Sequence, residues 1–232
     1  MNKKAFLITS ICLLPGGMSQ TFANPPSGGA TNYQTIDAIP AQAYIANYKD
    51  NVQNKFAEFY SLDMRAVTNI VNNGATAIRL YNGLSAGTSK IGILVPVDVN
   101  YNNISGSAAN AMTANNKTTG NSTMYSISSI GVCPPACDVT TSAPAATITG
   151  ANAQAAANAY NSNGSYDSYN AFLIYPAALN ILKNAGAIYF HVCNGINTST
   201  GGRVIIYRGI TAQGSATYLV EDASNMCNRC GL

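Results

Sequence analysis

Charge is what this chain has least of. Of 232 residues only 9% are charged, a single one is histidine and none is tryptophan. One histidine excludes a histidine-rich metal centre, so no resident metal is expected. The nine acidic residues are scattered and offer no matched carboxylate pair of the kind glycoside hydrolysis uses. The basic residues form no cluster either. Without Lys3 and Lys4 the formal charge drops from +3 to +1, which argues against nucleic acid or an anionic membrane surface as partner. There is no phosphate loop, dinucleotide fingerprint or Gly-x-Ser-x-Gly elbow, so no cofactor is expected. No segment approaches the roughly 18 consecutive apolar residues that a membrane span requires.

What is present begins with an N-terminal address. Lys3 and Lys4 precede an apolar run from Ala5 to Leu14, then a Pro-Gly-Gly break and a small residue, Ala23. This is the three-part pattern of a secretory signal peptide, expected over residues 1–23 with cleavage after Ala23. Cys12 lies inside the run without the small residues that lipid attachment would need before it. A soluble exported protein is the expectation, in the periplasm, at the cell surface or outside the cell. The remaining residues, 24–232, suffice for one large or two small domains.

Self-comparison supplies the organisation. Sliding the chain by 112 residues lays Thr35–Leu84 on Thr147–Ile196 without a gap, and 13 of the 50 positions are identical, against about four expected from composition alone. The matches include Tyr48 with Tyr160, Gly74-Ala75 with Gly186-Ala187 and Asn82-Gly83 with Asn194-Gly195. Two repeats are therefore predicted, over residues 24–140 and 141–232.

Within each repeat two helices are expected. The first falls near Ala41–Lys49 and Ala151–Asn161. The second carries apolar residues at helical spacing, Leu62, Ala66, Val67, Ile70 and Val71 in one copy and Ile174, Ala178, Leu179 and Leu182 in the other. Asp63 is placed to cap it in the first copy, Pro176 to start it in the second, and Gly74 and Gly186 to close it. The period then changes to alternation in "TAIRLYNG" and "IYFHVCNG". Asn-Gly predicts a hairpin turn, followed by strands in "KIGILVPVDV" and "RVIIYRGI", with Pro96 marking the former as an edge or bulged strand. Third strands are expected around Met124–Val132 and Ala216–Glu221. The predicted fold class is α+β: two tandem related repeats, each two helices followed by an antiparallel three-stranded meander. The first repeat also carries a long polar loop over residues 101–123.

Cysteines close both repeats. Cys133 and Cys137 form "CPPAC", Cys227 and Cys230 form "CNRC", and Cys193 stands alone. In an exported chain the four are expected in disulfides, within each pair or from pair to pair. Zinc held by four thiolates is the competing reading.

An "IRxYxG" strand at Ile78–Gly83, an "ILVPVD" strand at Ile93–Asp98 and the "CPPAC" tail at Cys133–Cys137 resemble a group of small exported or cell-envelope proteins of Gram-negative bacteria whose function is uncharacterised. The likeness covers the first half, with the second half a degenerate copy. It implies export and no particular activity.

Two side-chain pairs stand out on equivalent strands. Arg79 with Tyr81 are candidates for an anion or sugar contact, though surface residues on an outer sheet face is the plainer expectation. His191 with Cys193 share a strand face, where an imidazole could serve a thiol nucleophile; the plainer expectation is a small buried residue beside a solvent-facing histidine. The function expected is that of an exported non-enzymatic protein, binding or structural, in the cell envelope, with an envelope protein or glycan as partner. A thiol-dependent enzyme centred on Cys193 and His191 is the alternative.

Overall fold

The switch from helical period to alternation is realised, with strands added before and between the helices. The computed structural model of the chain describes residues 33–72, 75–85, 89–99, 123–127, 132–133, 145–167, 169–222 and 226–228. The expected signal peptide, most of the polar loop, Cys137 and Cys230 lie outside them. The first half runs β1 (Gln34–Ile36), α1 (Ala38–Asn51), β2 (Phe59–Asp63), α2 (Met64–Asn72), β3 (Ala77–Ser85), β4 (Ser89–Val97), β5 (Thr123–Ile127) and β6 (Val132–Cys133). The second runs β7 (Ala145–Thr149), α3 (Gly150–Ser162), β8 (Tyr169–Ile174), α4 (Pro176–Asn184), β9 (Ala187–Ile196), β10 (Arg203–Thr211), β11 (Ala216–Asp222) and β12 (Met226–Asn228).

Local chemistry sets the helix ends. The Asp63 carboxylate accepts a 2.7 Å hydrogen bond from the Arg65 backbone N–H, covering an exposed donor at the start of α2. Pro176 occupies the first turn of α4, where its missing N–H is not needed. Gly186, at φ +82°, closes α4 in the left-handed conformation that glycine adopts without steric cost.

The strands form two antiparallel six-stranded sheets of mixed α+β architecture. One has the order β1-β11-β10-β9-β2-β6, the other β12-β8-β3-β4-β5-β7. Each expected meander is there, as β3-β4-β5 and as β9-β10-β11. Neither stands alone: each is completed by three strands from the opposite half of the chain. Leu62 of β2 pairs with Phe190 of β9, and Ile174 of β8 pairs with Ile78 of β3. A cut near residue 140 would leave both sheets incomplete.

Two turn expectations are corrected. Asn82-Gly83 and Asn194-Gly195 are not turns; both lie inside strands, with β3 and β4 paired from Ala77 opposite Val97 to Ser85 opposite Ser89. A Cβ on Gly83 would come within 2.8 Å of Ile93 Cδ1 and 3.2 Å of Ala156 Cβ on α3; one on Gly195 would lie 2.9 Å from Val204 Cγ2 and 3.4 Å from Tyr44 Cβ on α1. Close seating of each helix on its sheet, and not a turn, is what these glycines permit. Pro96 lies on β4, an interior strand, but past the segment Gly92–Leu94 that β5 pairs, so the missing donor leaves no β5 partner unsatisfied.

One central cluster takes side chains from both sheets and from α2 and α4, among them Tyr60, Leu80, Leu94, Leu179, Phe190 and Tyr207. The opposite faces are covered separately. Helix α1 packs with β9, β10 and β11, and α3 with β3, β5 and β7. Strands β3 and β9 are thus buried on both faces, which is why their polar alternates are buried as well as their apolar ones. No helix among the described residues is long and apolar enough to cross a membrane.

Candidate functional site

Alternation puts His191 and Cys193 on one face of β9, and the register of the sheet decides their neighbours. His191 lies opposite Arg208 of β10 and Ser61 of β2, while Cys193 lies opposite Ile206 and Phe59. Helix α1 crosses above them, presenting Gln42, Ile45, Ala46 and Lys49 from one side, at the spacing of successive turns. Between helix and sheet is an open-mouthed cavity of about 300 Å³, walled by these residues with Glu58, Phe59, Arg208 and Tyr218. That volume is at the lower end of small-molecule sites.

The expectation of a solvent-facing histidine is overturned. His191 is only 6% exposed and Cys193 3%, because α1 covers the face that the sequence pattern leaves open. The Phe59 ring stacks on the imidazole at 4.5 Å and 21°, and Tyr189 lies tilted at 5.8 Å. Arg208 lies 5.9 Å from the centre of the Tyr218 ring. Lys49 and Glu58 face each other at 3.9 Å. Two buried atoms in this group, His191 Nε2 and Arg208 Nε, have no hydrogen-bond partner among the described residues. Leaving such a donor or acceptor unsatisfied costs about 1–3 kcal/mol.

Burial, helped by the neighbouring Arg208 charge, pushes the His191 imidazole down to about 4. Burial pushes the Cys193 thiol up to about 12, against a smaller opposing pull from Arg208. The pair is therefore neutral imidazole and protonated thiol at pH 7. A cysteine nucleophile needs the reverse.

Arg79 and Tyr81 occupy the matching positions of β3, and they too are not surface residues. They are 2% and 0% exposed, since α3 lies over this face. Tyr81 packs against Ala153, Ala156 and Ala157 of α3, and Arg79 Nη1 reaches the Tyr81 hydroxyl at 3.5 Å. Under α3 the bulk is on the strand and the helix is alanine-rich. Under α1 the strand residues are smaller, while the helix carries Tyr44 and Ile45.

Arg208, Phe59, Tyr218 and the α1 residues went unnoticed in the sequence. Arg208 alone left a signal there, as the one charge interrupting the apolar run "VIIYRGI". The others belong to distant segments that only the sheet brings together.

Cys193 is a free thiol. Cys133 is disulfide-bonded, with its sulfur 3.7 Å from Glu58 Oε2; a sulfur so bonded is no thiolate ligand. Cys227 is on β12 opposite Ala171, as Cys133 is on β6 opposite Phe59. Among the described residues no three His, Cys, Asp or Glu side chains gather as a metal site would require.

A second, central cavity of about 10 Å³ lies between Asn82 and Asn194, room for a single water. Asn82 Nδ2 donates to the Tyr169 carbonyl and Asn194 Nδ2 to the Ala57 carbonyl, each at 3.1 Å. These bonds tie strands of the two halves together. No family model, curated protein or solved structure matches the chain.

Proposed function

We propose that the chain is an exported, non-enzymatic binding protein of the cell envelope, made of two copies of one α+β module, and that the cavity beneath α1 is its ligand site. One observation carries the reading: an open-mouthed, largely apolar cavity of about 300 Å³ with the Arg208 side chain in its wall. Apolar walls with a few polar groups among them are what a small-molecule site offers.

Duplication is supported by the shared order of elements in the two halves and by the paired asparagine bonds, whose donors and acceptors are both offset by 112 residues. Export is supported by the three-part pattern of residues 1–23, and kinship with the Gram-negative envelope group by the motifs at Ile78–Gly83, Ile93–Asp98 and Cys133–Cys137. An open-mouthed cavity of this size suits a small molecule or a single sugar-sized unit of a larger envelope partner.

Benzamide, benzoate and benzamidine, of one size and three charges, test the site. Nuclear magnetic resonance should show at least one of them shifting the signals of Phe59, His191 and Tyr218 at millimolar concentration, and Cys193→Leu, which fills the cavity, should abolish the shifts. Indifference to all three probes would sink the binding reading. The thiol-enzyme alternative is tested separately by alkylation. Iodoacetamide should modify Cys193 slowly at pH 7, with a rate rising about tenfold per pH unit as thiolate forms; rapid modification would restore the alternative.

A further inference from the structure

We propose that the ligand of this cavity is a small apolar monocarboxylate, its carboxylate on the Arg208 guanidinium and its apolar body against Ile45, Phe59 and Tyr218. This rests on the cavity beneath α1 being a binding site and goes on to its chemistry. Around the cavity stand two cations, Lys49 and Arg208, and one anion, Glu58. Glu58 is already engaged at 3.9 Å by Lys49. Among the described residues Arg208 has the Tyr218 ring beside it and no carboxylate paired with it. One positive charge is therefore left over, and it calls for one negative charge.

The form of that charge follows from the guanidinium, a planar fork that matches a carboxylate through two parallel hydrogen bonds. A cationic ligand would meet Arg208 directly. A dianion such as phosphate would face Glu58 with a charge in excess and would leave Ile45, Ala46, Phe59 and Tyr218 without apolar cover. Cavity, charge and walls together select a compact acid with an apolar body.

Calorimetric titration of the full chain with benzoate, its neutral isostere benzamide, and inorganic phosphate tests this. Benzoate should bind about tenfold or more tightly than benzamide, as a charge-assisted pair predicts, and phosphate should not compete. Arg208→Met should erase the preference for benzoate while leaving benzamide binding in place. Arg208→Lys, which keeps the charge without the fork, should retain only part of it. Should Arg208→Met fail to fold, by circular dichroism, the wild-type ratio and Arg208→Lys decide. Equal binding of benzoate and benzamide, or a preference that survives Arg208→Met, overturns the carboxylate assignment and leaves the binding site standing. Binding of neither overturns the carboxylate assignment, and the binding site falls with it when benzamidine is silent too.

Discussion

The outer faces of the two sheets share a backbone plan and differ in what fills them. Under α3, Arg79 and Tyr81 rise from β3 into a helix of small residues and are wholly covered. Under α1, His191 and Cys193 rise from the matching strand into a helix with larger side chains, and a cavity remains. Two sheets, each crossed by a helix, can thus hold one face closed and one open when bulk moves from strand to helix. A closed face contributes stability, whereas an open one leaves room for a ligand.

The sharpest break of this comparison is truncation on the closed side. Tyr81→Ala should cost about 3–5 kcal/mol in denaturant unfolding, as loss of a buried aromatic does. A cost near zero would mean that the face under α3 is no better filled than the other.

Acid should act on the open side. Because His191 titrates near 4 when folded and near 6.5 when unfolded, the unfolded chain binds the extra proton between those values. The stability from neutral His191 is therefore complete above pH 6.5 and is lost as pH falls towards 4, by about 3 kcal/mol at most. Urea unfolding across that window should show the slope, and His191→Asn should flatten it.

Smaller effects test what the two frames share. Gly83→Ala and Gly195→Ala should each cost about 1–3 kcal/mol through crowding, reported by thermal unfolding. Asn82→Ala, which leaves the buried Tyr60 hydroxyl without its acceptor, and Asn194→Ala, which leaves the Ala57 carbonyl without its side-chain donor, should lose similar amounts. A large disparity within either pair would break the likeness of the halves. Least of all, Cys193→Ala should cost roughly 1 kcal/mol, since the thiol borders a cavity already present.

Much of this was legible beforehand. The helices fall where periodicity and the residues Asp63, Pro176 and Gly186 place them, because capping and left-handed closure are local effects. The strands β3, β4, β9 and β10 follow from alternation for the same reason. Asn-Gly misled, since its usual turn role was displaced by two tertiary needs: a glycine under a closely seated helix and an asparagine bridging to the other half. Arg79, Tyr81, His191 and Cys193 were correctly grouped by face, but an apparently outer face proved to be covered by α1 or α3.

The sequence by itself determined the two helices and the alternating strands that follow them in each half, the likeness between Thr35–Leu84 and Thr147–Ile196, and which side chains share a strand face, all of which depend on short-range geometry. Tertiary structure alone decided that each sheet borrows strands from the opposite half, that Arg208 lies opposite His191, and that α1 roofs a cavity over both. Those pairings join residues far apart in the chain, where strand register and helix seating, and not local preference, set the distances.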